Sequence, residues 1–385
     1  MIVILFRMSD LALPSPSFCI DLERLEANCA RTLSLGLPLR PHVKTSKCVE
    51  IGRLQQGGVH PGIVCSTLQE CEHFGAAGFR DILYGVPFEG SKLERALALH
   101  KSLPAFHLML DSLEALRCLE AFLAGEQAEV FSVWVAIDAG YGREGVPHDS
   151  PLALALATAV HASKFTTLAG LYSHSGDSYN CAQGGAGAAA VAATELTRMT
   201  ALSAALGERG VPVPTLSLGA TPSAMCGKWG GTAGGGTSGR GPALELHPGN
   251  YVFFDRQQAA SGSCGLEDVA CYVVARVVGA YRDRNTLLID AGACALHKDA
   301  GGLQTWGCLR EDPNMVLQKL TQEVAVVGTA DGSPINFDAF PLGTVCRVLP
   351  NHSCMTAAMF PNYNVTRDVG GERRVVAQWA PCKYW

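Results

Sequence analysis

The segment at residues 40–47 reads Arg-Pro-His-Val-Lys-Thr-Ser-Lys and continues a strand-like run that starts at residue 37. It places Lys44 between a histidine and two hydroxyl side chains, with a second lysine three positions later. A lysine at the C-terminal end of an interior strand is partly desolvated and close to other cations, and both effects lower its pKa. A neutral amine can then form a Schiff base with a carbonyl compound. Lys44 is therefore a candidate for covalent chemistry; the alternative is a surface lysine in a basic loop.

Short apolar runs alternate with longer amphipathic segments around this lysine, from about residue 16 to residue 250. Eight runs are typical of strands, at residues 17–21, 37–43, 62–66, 81–84, 105–111, 130–138, 168–174 and 215–219. Helices are expected between most of them, for example at residues 22–35, 68–77, 92–101 and 189–206. This alternation predicts parallel pairing in a closed α/β barrel of the (β/α)8 TIM type. An open doubly wound sheet is the alternative, but no GxGxxG fingerprint follows the first strand.

The pattern changes after Asp255, where strand-like runs with polar turns replace the long helices. Such runs occur at residues 269–281, 284–290, 324–327, 344–349 and 373–379. The expected organisation is a barrel at residues 15–255 and a mostly-β domain at 256–385, with residues 1–14 joining the β domain or forming an extension. Residues 226–241 are rich in glycine and are expected to form a loop insertion.

Composition excludes several classes of protein. A net charge of -5 with no basic run argues against a nucleic-acid surface. No apolar stretch is long enough to cross a bilayer, and the apolar start is too short for a signal peptide. The fifteen cysteines are odd in number and scattered through apolar runs, which indicates buried thiols in a reducing compartment. A metabolic enzyme in the cytoplasm is expected, and an organelle stays open.

Active sites of such barrels lie at the C-terminal ends of the strands. Besides Lys44, three groups of residues follow predicted strands, and they are 138–143, 172–175 and 219–223. The last is a glycine and hydroxyl turn, so the backbone amides of Gly219, Ala220 and Thr221 are candidates for binding a phosphate; an ordinary turn is the alternative. The tract at residues 246–251 follows and offers further backbone amides and a phenol to the same pocket.

Three further side chains are candidates for chemistry. Arg143 follows two glycines and is placed to approach a substrate carboxylate or a ring oxygen, the alternative being an ion pair with Glu144. His352 and Cys354 are separated by one residue, so on a strand both side chains would point to the same side. An imidazole and a thiolate on one face can bind a divalent ion, although a buried cysteine and a core histidine are common without any metal.

Together these tracts resemble one family, the pyridoxal-phosphate (PLP) enzymes of the alanine-racemase fold, in the branch that contains D-serine dehydratase and D-threonine aldolase. The similarity extends over nearly the whole chain, and it is carried by the tracts at residues 40–45, 219–223, 245–251, 290–292 and 351–358. The resemblance implies a barrel, a C-terminal β domain and a homodimer that acts on a small D-amino acid.

The resemblance also implies roles for individual residues. Lys44 would bind PLP as a Schiff base, Tyr172 would lie by the pyridine ring and Arg143 near the phenolic oxygen of the cofactor. His352 and Cys354 would hold a divalent metal. Ligation by a thiolate favours zinc, and manganese and magnesium are the alternatives. The residues that the resemblance assigns to the phosphate are Gly219, Ala220, Thr221, Gly249, Asn250 and Tyr251.

Two departures from the family pattern leave the reaction open. The dehydratase pattern Gln-Glu-His-Gly is replaced by Gln-Glu-Val-Ala at residues 322–325, which favours D-threonine aldolase, with His174 as the base for the 3-hydroxyl. Cys354 favours D-serine dehydratase, because bacterial aldolases of this branch have an aspartate there. Residues 226–241 have no counterpart in the family. We expect an aldolase that converts D-threonine to glycine and acetaldehyde; the alternatives are D-serine dehydratase and, further off, an amino-acid racemase or a non-catalytic PLP-binding protein.

Overall fold

The computed structural model describes residues 8–125, 129–181, 183–229 and 241–384. These residues divide into two compact units. The barrel unit spans Thr32–Gly249, and the β unit combines the described residues up to Arg31 with Asn250–Lys383. The expected ranges were 15–255 and 256–385, so residues 15–31 and 250–255 fall in the other unit. None of the described helices combines the length and apolar character that a transmembrane segment needs.

Seven strands of the barrel unit pair in parallel, in the order in which they occur in the sequence. They are Gly62–Cys65, Asp81–Pro87, Ala105–Leu110, Phe131–Asp138, Thr166–Tyr172, Thr215–Leu218 and Ala243–Leu246. A two-residue strand, Val146–Pro147, pairs with Phe131–Asp138 outside this order. Several of these strands are continuous apolar runs because both of their faces are covered.

Residues 37–43 join the two edges of this sheet and close the barrel. Leu39 bridges to Leu246 and His42 bridges to Val64, both in parallel. The segment was expected to be a regular strand, and this expectation is wrong in detail. Pro38 and Pro41 have no N–H group, so only their carbonyls take part in pairing and a continuous ladder cannot form.

The barrel strands differ from the prediction at two further places. The strand Ser17–Asp21 pairs in the β unit and not in the barrel. The barrel strand Ala243–Leu246 was not predicted, because it follows the glycine-rich segment directly. Of that segment, residues 230–240 lie outside the described residues, as do residues 1–7 of the N-terminal extension.

The expected helices are confirmed with small shifts at their ends. Caps explain several boundaries: Thr67 and Ser112 accept backbone N–H groups of the first turn, and Gly57 ends a helix with φ 57°. The described α-helices are Leu22–Leu33, Val49–Gln56, Leu68–Ala76, Leu93–Ser102, Leu113–Leu123, Pro151–Ala162, Gly185–Gly207, Thr221–Cys226, Arg256–Ala260, Ala293–Leu296 and Ser353–Ala358.

The β unit of the described chain contains one nine-stranded sheet. Its strands in spatial order are Thr286–Ile289, Ala325–Thr329, Met315–Leu320, Gly307–Leu309, Val345–Pro350, Cys271–Tyr281, Ser17–Asp21, Tyr363–Val369 and Glu372–Trp379. Cys271–Tyr281 also pairs with Thr286–Ile289, so the first six strands close on themselves. Ser17–Asp21 pairs in parallel with Tyr363–Val369, and the other pairs are antiparallel. The predicted C-terminal β domain is confirmed.

The cysteines behave as expected from their scatter. All fifteen lie within the described residues, none forms a disulfide there, and nine are buried. Burial raises the pKa of several of these thiols, for example Cys29, to about 12, which keeps them protonated and unreactive.

A buried charge network lies inside the barrel. The guanidinium of Arg40 contacts both carboxylate oxygens of Asp81, with a second contact of 3.0 Å from Nε to Glu245 Oε1. His107 Nε2 lies 3.0 Å from the carboxylate of Asp81. A side chain at Gly62 would collide with the guanidinium, so glycine at this position leaves the space that Arg40 occupies.

We predict that Gly62→Ala lowers the free energy of unfolding by about 3 kcal/mol, because it displaces the buried Arg40 guanidinium from its two partly buried carboxylate partners. The matched control is Gly207→Ala, where a Cβ meets no atom within 4 Å. Urea denaturation of both variants and the wild type checks this. Equal stability of the two variants would contradict it.

Candidate active site

A cavity of about 360 Å³ in the barrel unit contains four of the predicted residues. Lys44, Arg143, Tyr172 and His174 all line it; the other lining residues are His42, Ser66, Gly85, Val86, Pro87 and Glu144. Tyr172 is the last residue of its strand, and Arg143 lies in the loop after Phe131–Asp138. The cavity therefore lies at the C-terminal ends of the strands, where barrel active sites are found.

Lys44 lies on a single 3-10 turn, Val43–Thr45, and not at the end of a regular strand. The side chain of His42 precedes this turn, and its Nδ1 accepts the backbone N–H of Lys44 at 3.4 Å. The other ring nitrogen of His42 lies 3.3 Å from Ser66 Oγ. The lysine is half-buried, and its backbone is held by a histidine that is itself buried.

His174 is placed to act as a base. Desolvation, Lys44 and Arg143 hold its pKa well below the usual value, so the imidazole is neutral. Its Nδ1 lies 3.3 Å from the carbonyl oxygen of Gly219, which accepts a hydrogen bond only from a protonated nitrogen. The proton is thus on Nδ1, and Nε2 is the nitrogen that can accept one.

His247 was not predicted as a site residue. Its ring stacks on Tyr172 with 4.0 Å between the centroids, and its Nδ1 lies 2.9 Å from Ser217 Oγ. Burial and the charge of Lys44 lower its pKa to about 3. Its Nε2 is buried and has no partner among the described residues. His247 lies in one of the tracts that carry the family resemblance, but its stacking on Tyr172 joins two residues distant in the sequence and cannot be read from residue spacing.

Arg143 forms the ion pair with Glu144 that is the alternative to a binding role, and its side chain also lines the cavity. The two side chains are joined by two charge-assisted hydrogen bonds. The guanidinium also lies over the ring of Tyr141, 5.4 Å from its centroid. Glu144 lines the same cavity, so Arg143 can pair with it and still contact a molecule bound there.

The turn at residues 219–221 uses two of its amides within the chain. The N–H of Gly219 donates to Glu195 Oε1 at 3.3 Å, and the N–H of Ala220 donates to Ser223 Oγ at 2.8 Å. Thr221 is buried, and its hydroxyl has no partner in the part of the chain that the structure describes. A buried hydroxyl without a partner is costly, so Thr221 is the group of this turn that fits a bound anion.

Gly249 has a packing role in the barrel unit. A Cβ at this position would lie 2.6 Å from the carbonyl oxygen of His42. The neighbouring carbonyl of Pro248 accepts the N–H of His42 at 3.1 Å. Only glycine permits this close approach of the two segments, which fixes the backbone just before Lys44.

Glu195 is a second residue that sequence reasoning missed. It lies on the helix Gly185–Gly207 and is 2% exposed. Burial raises its pKa to about 8, with Ser173, Ser175 and the Gly219 amide opposing the shift. Glu195 and His174 both line a second cavity of about 290 Å³. An isolated glutamate in an alanine-rich helix is typical of a solvated face, so the sequence gave no signal for this carboxyl.

We predict that Glu195→Gln removes a pH dependence of stability. The folded-state pKa lies above the unfolded value, so the stabilisation by the neutral carboxyl is lost as pH rises through about 8. Relative to the variant, the wild type loses roughly 1.4 kcal/mol of unfolding free energy per pH unit between the ordinary glutamate pKa of 4.5 and the raised pKa of about 8. Urea unfolding at several pH values measures this.

The control for that series is Glu208→Gln, which changes an exposed carboxylate next to the same helix. Its unfolding free energy should follow the wild type at every pH. Parallel curves for the wild type and Glu195→Gln would contradict the prediction.

The predicted metal ligands lie in the β unit. His352 follows the strand Val345–Pro350, and Cys354 is in the first turn of the helix Ser353–Ala358. The expectation that both lie on one strand is wrong, but the two side chains do interact. His352 Nδ1 lies 2.5 Å from Asp299 Oδ2, which leaves Nε2 for a metal. Among the described residues no cluster of three or more His, Cys, Asp or Glu side chains has metal-binding geometry.

Asn250 and Tyr251, predicted to bind phosphate, also lie in the β unit, on the 3-10 turn Asn250–Val252. Both side chains are buried. The Nδ2 of Asn250 lies 3.4 Å from Cys354 Sγ, so this amide faces a predicted metal ligand.

Known proteins match both units. Residues 20–232 match the family described as alanine racemase, N-terminal domain, and residues 270–366 match a serine dehydratase domain. The D-threo-3-hydroxyaspartate dehydratase of Delftia sp. (strain HT23) is 37% identical over 97% of this chain and 99% of its own. The D-serine dehydratase of Dictyostelium discoideum is 33% identical over 92% of each chain. The D-threonine aldolase of Arthrobacter sp. is 28% identical over 92% of this chain and 89% of its own.

Comparison with solved structures finds the same relatives as the comparison of sequences. The solved structure of the Delftia dehydratase superposes with a TM-score of 0.88 at 35% identity, covering 98% of this chain and all of the other. A structure of its cysteine-to-alanine variant, also with a TM-score of 0.88, is of the metal-free form. The chain therefore belongs to the alanine-racemase-like, fold-type III family of PLP enzymes, in the branch of D-serine dehydratase, D-threo-3-hydroxyaspartate dehydratase and D-threonine aldolase.

The barrel unit fits this cofactor. Lys44 lies in a cavity at the barrel mouth, and two buried polar atoms lack a partner among the described residues, Thr221 Oγ1 and His247 Nε2. A phosphate ester needs hydrogen-bond donors, and a pyridine ring needs a partner for its nitrogen. The residues present can therefore hold PLP.

Proposed function

We propose that this protein is a PLP- and metal-dependent lyase that dehydrates D-3-hydroxy amino acids, with D-serine or D-threo-3-hydroxyaspartate as substrate. The His352–Cys354 pair carries the proposal, because a thiolate and an imidazole form a metal site suited to binding a substrate hydroxyl. Similarity supports it, since the two dehydratases are 33% and 37% identical and the aldolase 28%. The metal-free form of the Delftia variant supports the use of a metal.

Each residue of the barrel unit has one task in this proposal. PLP, when bound, supplies an electron sink for negative charge at the substrate α-carbon. Lys44 Nζ holds the cofactor and then moves the proton at that carbon. The Thr221 hydroxyl binds the phosphate, and Arg143 and Tyr172 orient the ring. The homodimer and the cytoplasmic location stay predictions.

His352 and Cys354 would hold the divalent ion through Nε2 and Sγ, and the ion supplies Lewis acidity towards the 3-hydroxyl. A ligand pair of nitrogen and sulfur favours zinc over magnesium or manganese. With only two protein ligands, positions are left for water and for the substrate.

D-threonine aldolase is the second candidate. It is favoured by residues 322–325, where the dehydratase pattern lacks its histidine. In the aldolase reaction a base removes the 3-hydroxyl proton, and the neutral His174 offers Nε2 for it. We place the aldolase second, because the two dehydratases cover more than nine-tenths of the chain at higher identity.

Product analysis tests the choice of reaction. We predict that the enzyme supplied with PLP and zinc releases ammonia and a keto acid from D-serine and D-threo-3-hydroxyaspartate. Glycine and an aldehyde from D-threonine, without ammonia from any substrate, would replace the dehydratase with the aldolase. The L-amino acids serve as the control and should give neither product. Lys44→Ala should abolish product formation, since the variant lacks the amine that attaches the cofactor.

We predict that Thr221→Val raises the dissociation constant for PLP about tenfold, the equivalent of one charge-assisted hydrogen bond. The measurement is an absorbance titration of the apoenzyme with PLP. The control is Thr166→Val, because this buried hydroxyl already donates to the carbonyl of Val160 at 2.7 Å. An unchanged affinity in Thr221→Val would remove this residue from the phosphate site.

A further inference from the structure

Each member of the His352–Cys354 pair is in contact with a different side chain of the β unit, His352 with Asp299 and Cys354 with Asn250. Asp299 contacts His352 through Oδ2, while its Oδ1 accepts the N–H of Gly301 at 3.0 Å. Gly301 has φ 55°, and a Cβ there would collide with Gln257, so glycine is needed for this turn. Asp299 is thus fixed by its own turn, and its contact with Nδ1 leaves Nε2 as the ring nitrogen that can bind a metal.

Asn250 makes the corresponding contact to the sulfur. Its side chain is 4% exposed, and Nδ2 lies 2.9 Å from Asp255 Oδ2, 2.9 Å from Ser353 Oγ and 3.4 Å from Cys354 Sγ. The carboxylate of Asp255 can only accept, so the amide nitrogen faces this cluster. The amide nitrogen has two hydrogens for these three acceptors, so its contact with Sγ is shared with the two shorter ones and fixes where the sulfur lies.

Asp255 anchors the backbone that carries Cys354. It is fully buried, and Oδ2 accepts the N–H of Ser353 at 2.8 Å and its hydroxyl at 3.1 Å. Its other oxygen accepts the N–H of Gln258 at 2.9 Å. The first turn of the helix Ser353–Ala358 is therefore tied to one carboxylate, and the position of Sγ follows from it.

We propose that Asp299, Asn250 and Asp255 are positioning residues of the metal centre: Asp299 orients His352, and the Asn250–Asp255 pair orients Cys354. This inference rests on the metal of the proposed function and not on its substrate. It moves Asn250 from the phosphate site to the metal site. Because the described residues offer no third protein ligand, the affinity depends on how firmly these two ligands are held.

The test measures metal binding and not turnover. Zinc affinity is determined by chelator competition on the PLP-loaded, metal-stripped protein for the wild type, Asp299→Ala and Asn250→Ala. We expect both variants to bind zinc about ten- to a hundredfold more weakly, with unchanged PLP affinity. Asp299→Asn, which keeps a hydrogen-bonding group beside Nδ1, should recover part of the loss and serves as the second variant if Asp299→Ala does not fold.

Cobalt substitution separates the two positioning effects. The sulfur-to-cobalt charge-transfer band should move to lower energy in Asn250→Ala, because the sulfur loses a hydrogen bond, and stay in place in Asp299→Ala. The matched control is Asp290→Asn in the same unit; this half-buried carboxylate accepts the Arg276 N–H at 2.6 Å and the Ser15 hydroxyl at 2.5 Å. Its zinc affinity should equal that of the wild type.

Two outcomes would overturn the inference. Folded variants that bind zinc as the wild type does would show that the carboxylates and the amide are structural only. Weaker PLP binding with unchanged zinc affinity in Asn250→Ala would return Asn250 to the phosphate. The dehydratase proposal fails separately: the zinc and cobalt results would support the positioning roles even if D-threonine were cleaved to glycine.

Discussion

The position of Lys44 depends on a backbone constraint, the lack of N–H groups at Pro38 and Pro41. A regular strand at residues 37–43 would continue its ladder up to the lysine. The prolines reduce the pairing to single bridges at Leu39 and His42, and the chain then turns through Val43–Thr45. This arrangement closes the barrel and at the same time presents Lys44 at its mouth. The carbonyl of Pro248 and the close approach at Gly249 hold the same backbone from the other side.

Burial sets the charge of the groups around this lysine. His42, His174 and His247 all have pKa values lowered by desolvation and by Lys44, so three imidazoles remain neutral beside one amine. Neutral rings can accept protons and stack, as His247 does on Tyr172. Two arginines near these rings are paired with carboxylates: Arg143 with Glu144 at the same cavity, and Arg40 with Asp81 inside the barrel.

The sequence brings together those candidate residues whose place follows from a strand end. Arg143, Tyr172 and His174 line one cavity because they follow parallel strands whose C-terminal ends meet, and Lys44 reaches the same cavity from its 3-10 turn. Ser17–Asp21 was assigned to the wrong sheet, because a fully buried strand of a mixed sheet has the same apolar run as a strand of an all-parallel barrel. Glu195 and the contact of Asn250 with Cys354 had no sequence signal, since both depend on side chains distant in the chain.

The barrel unit offers bases for either reaction of this family. Dehydration needs a base for the proton at the α-carbon, and aldol cleavage needs one for the proton of the 3-hydroxyl; Lys44 and His174 fit these two tasks. The choice between them therefore depends on how the substrate is oriented more than on which base is present. Under the proposed function, the 3-hydroxyl is oriented by the ion that His352 and Cys354 would hold, and Asp299 and Asn250 contact these two residues. Specificity for the reaction would then depend on side chains that themselves take no proton from the substrate.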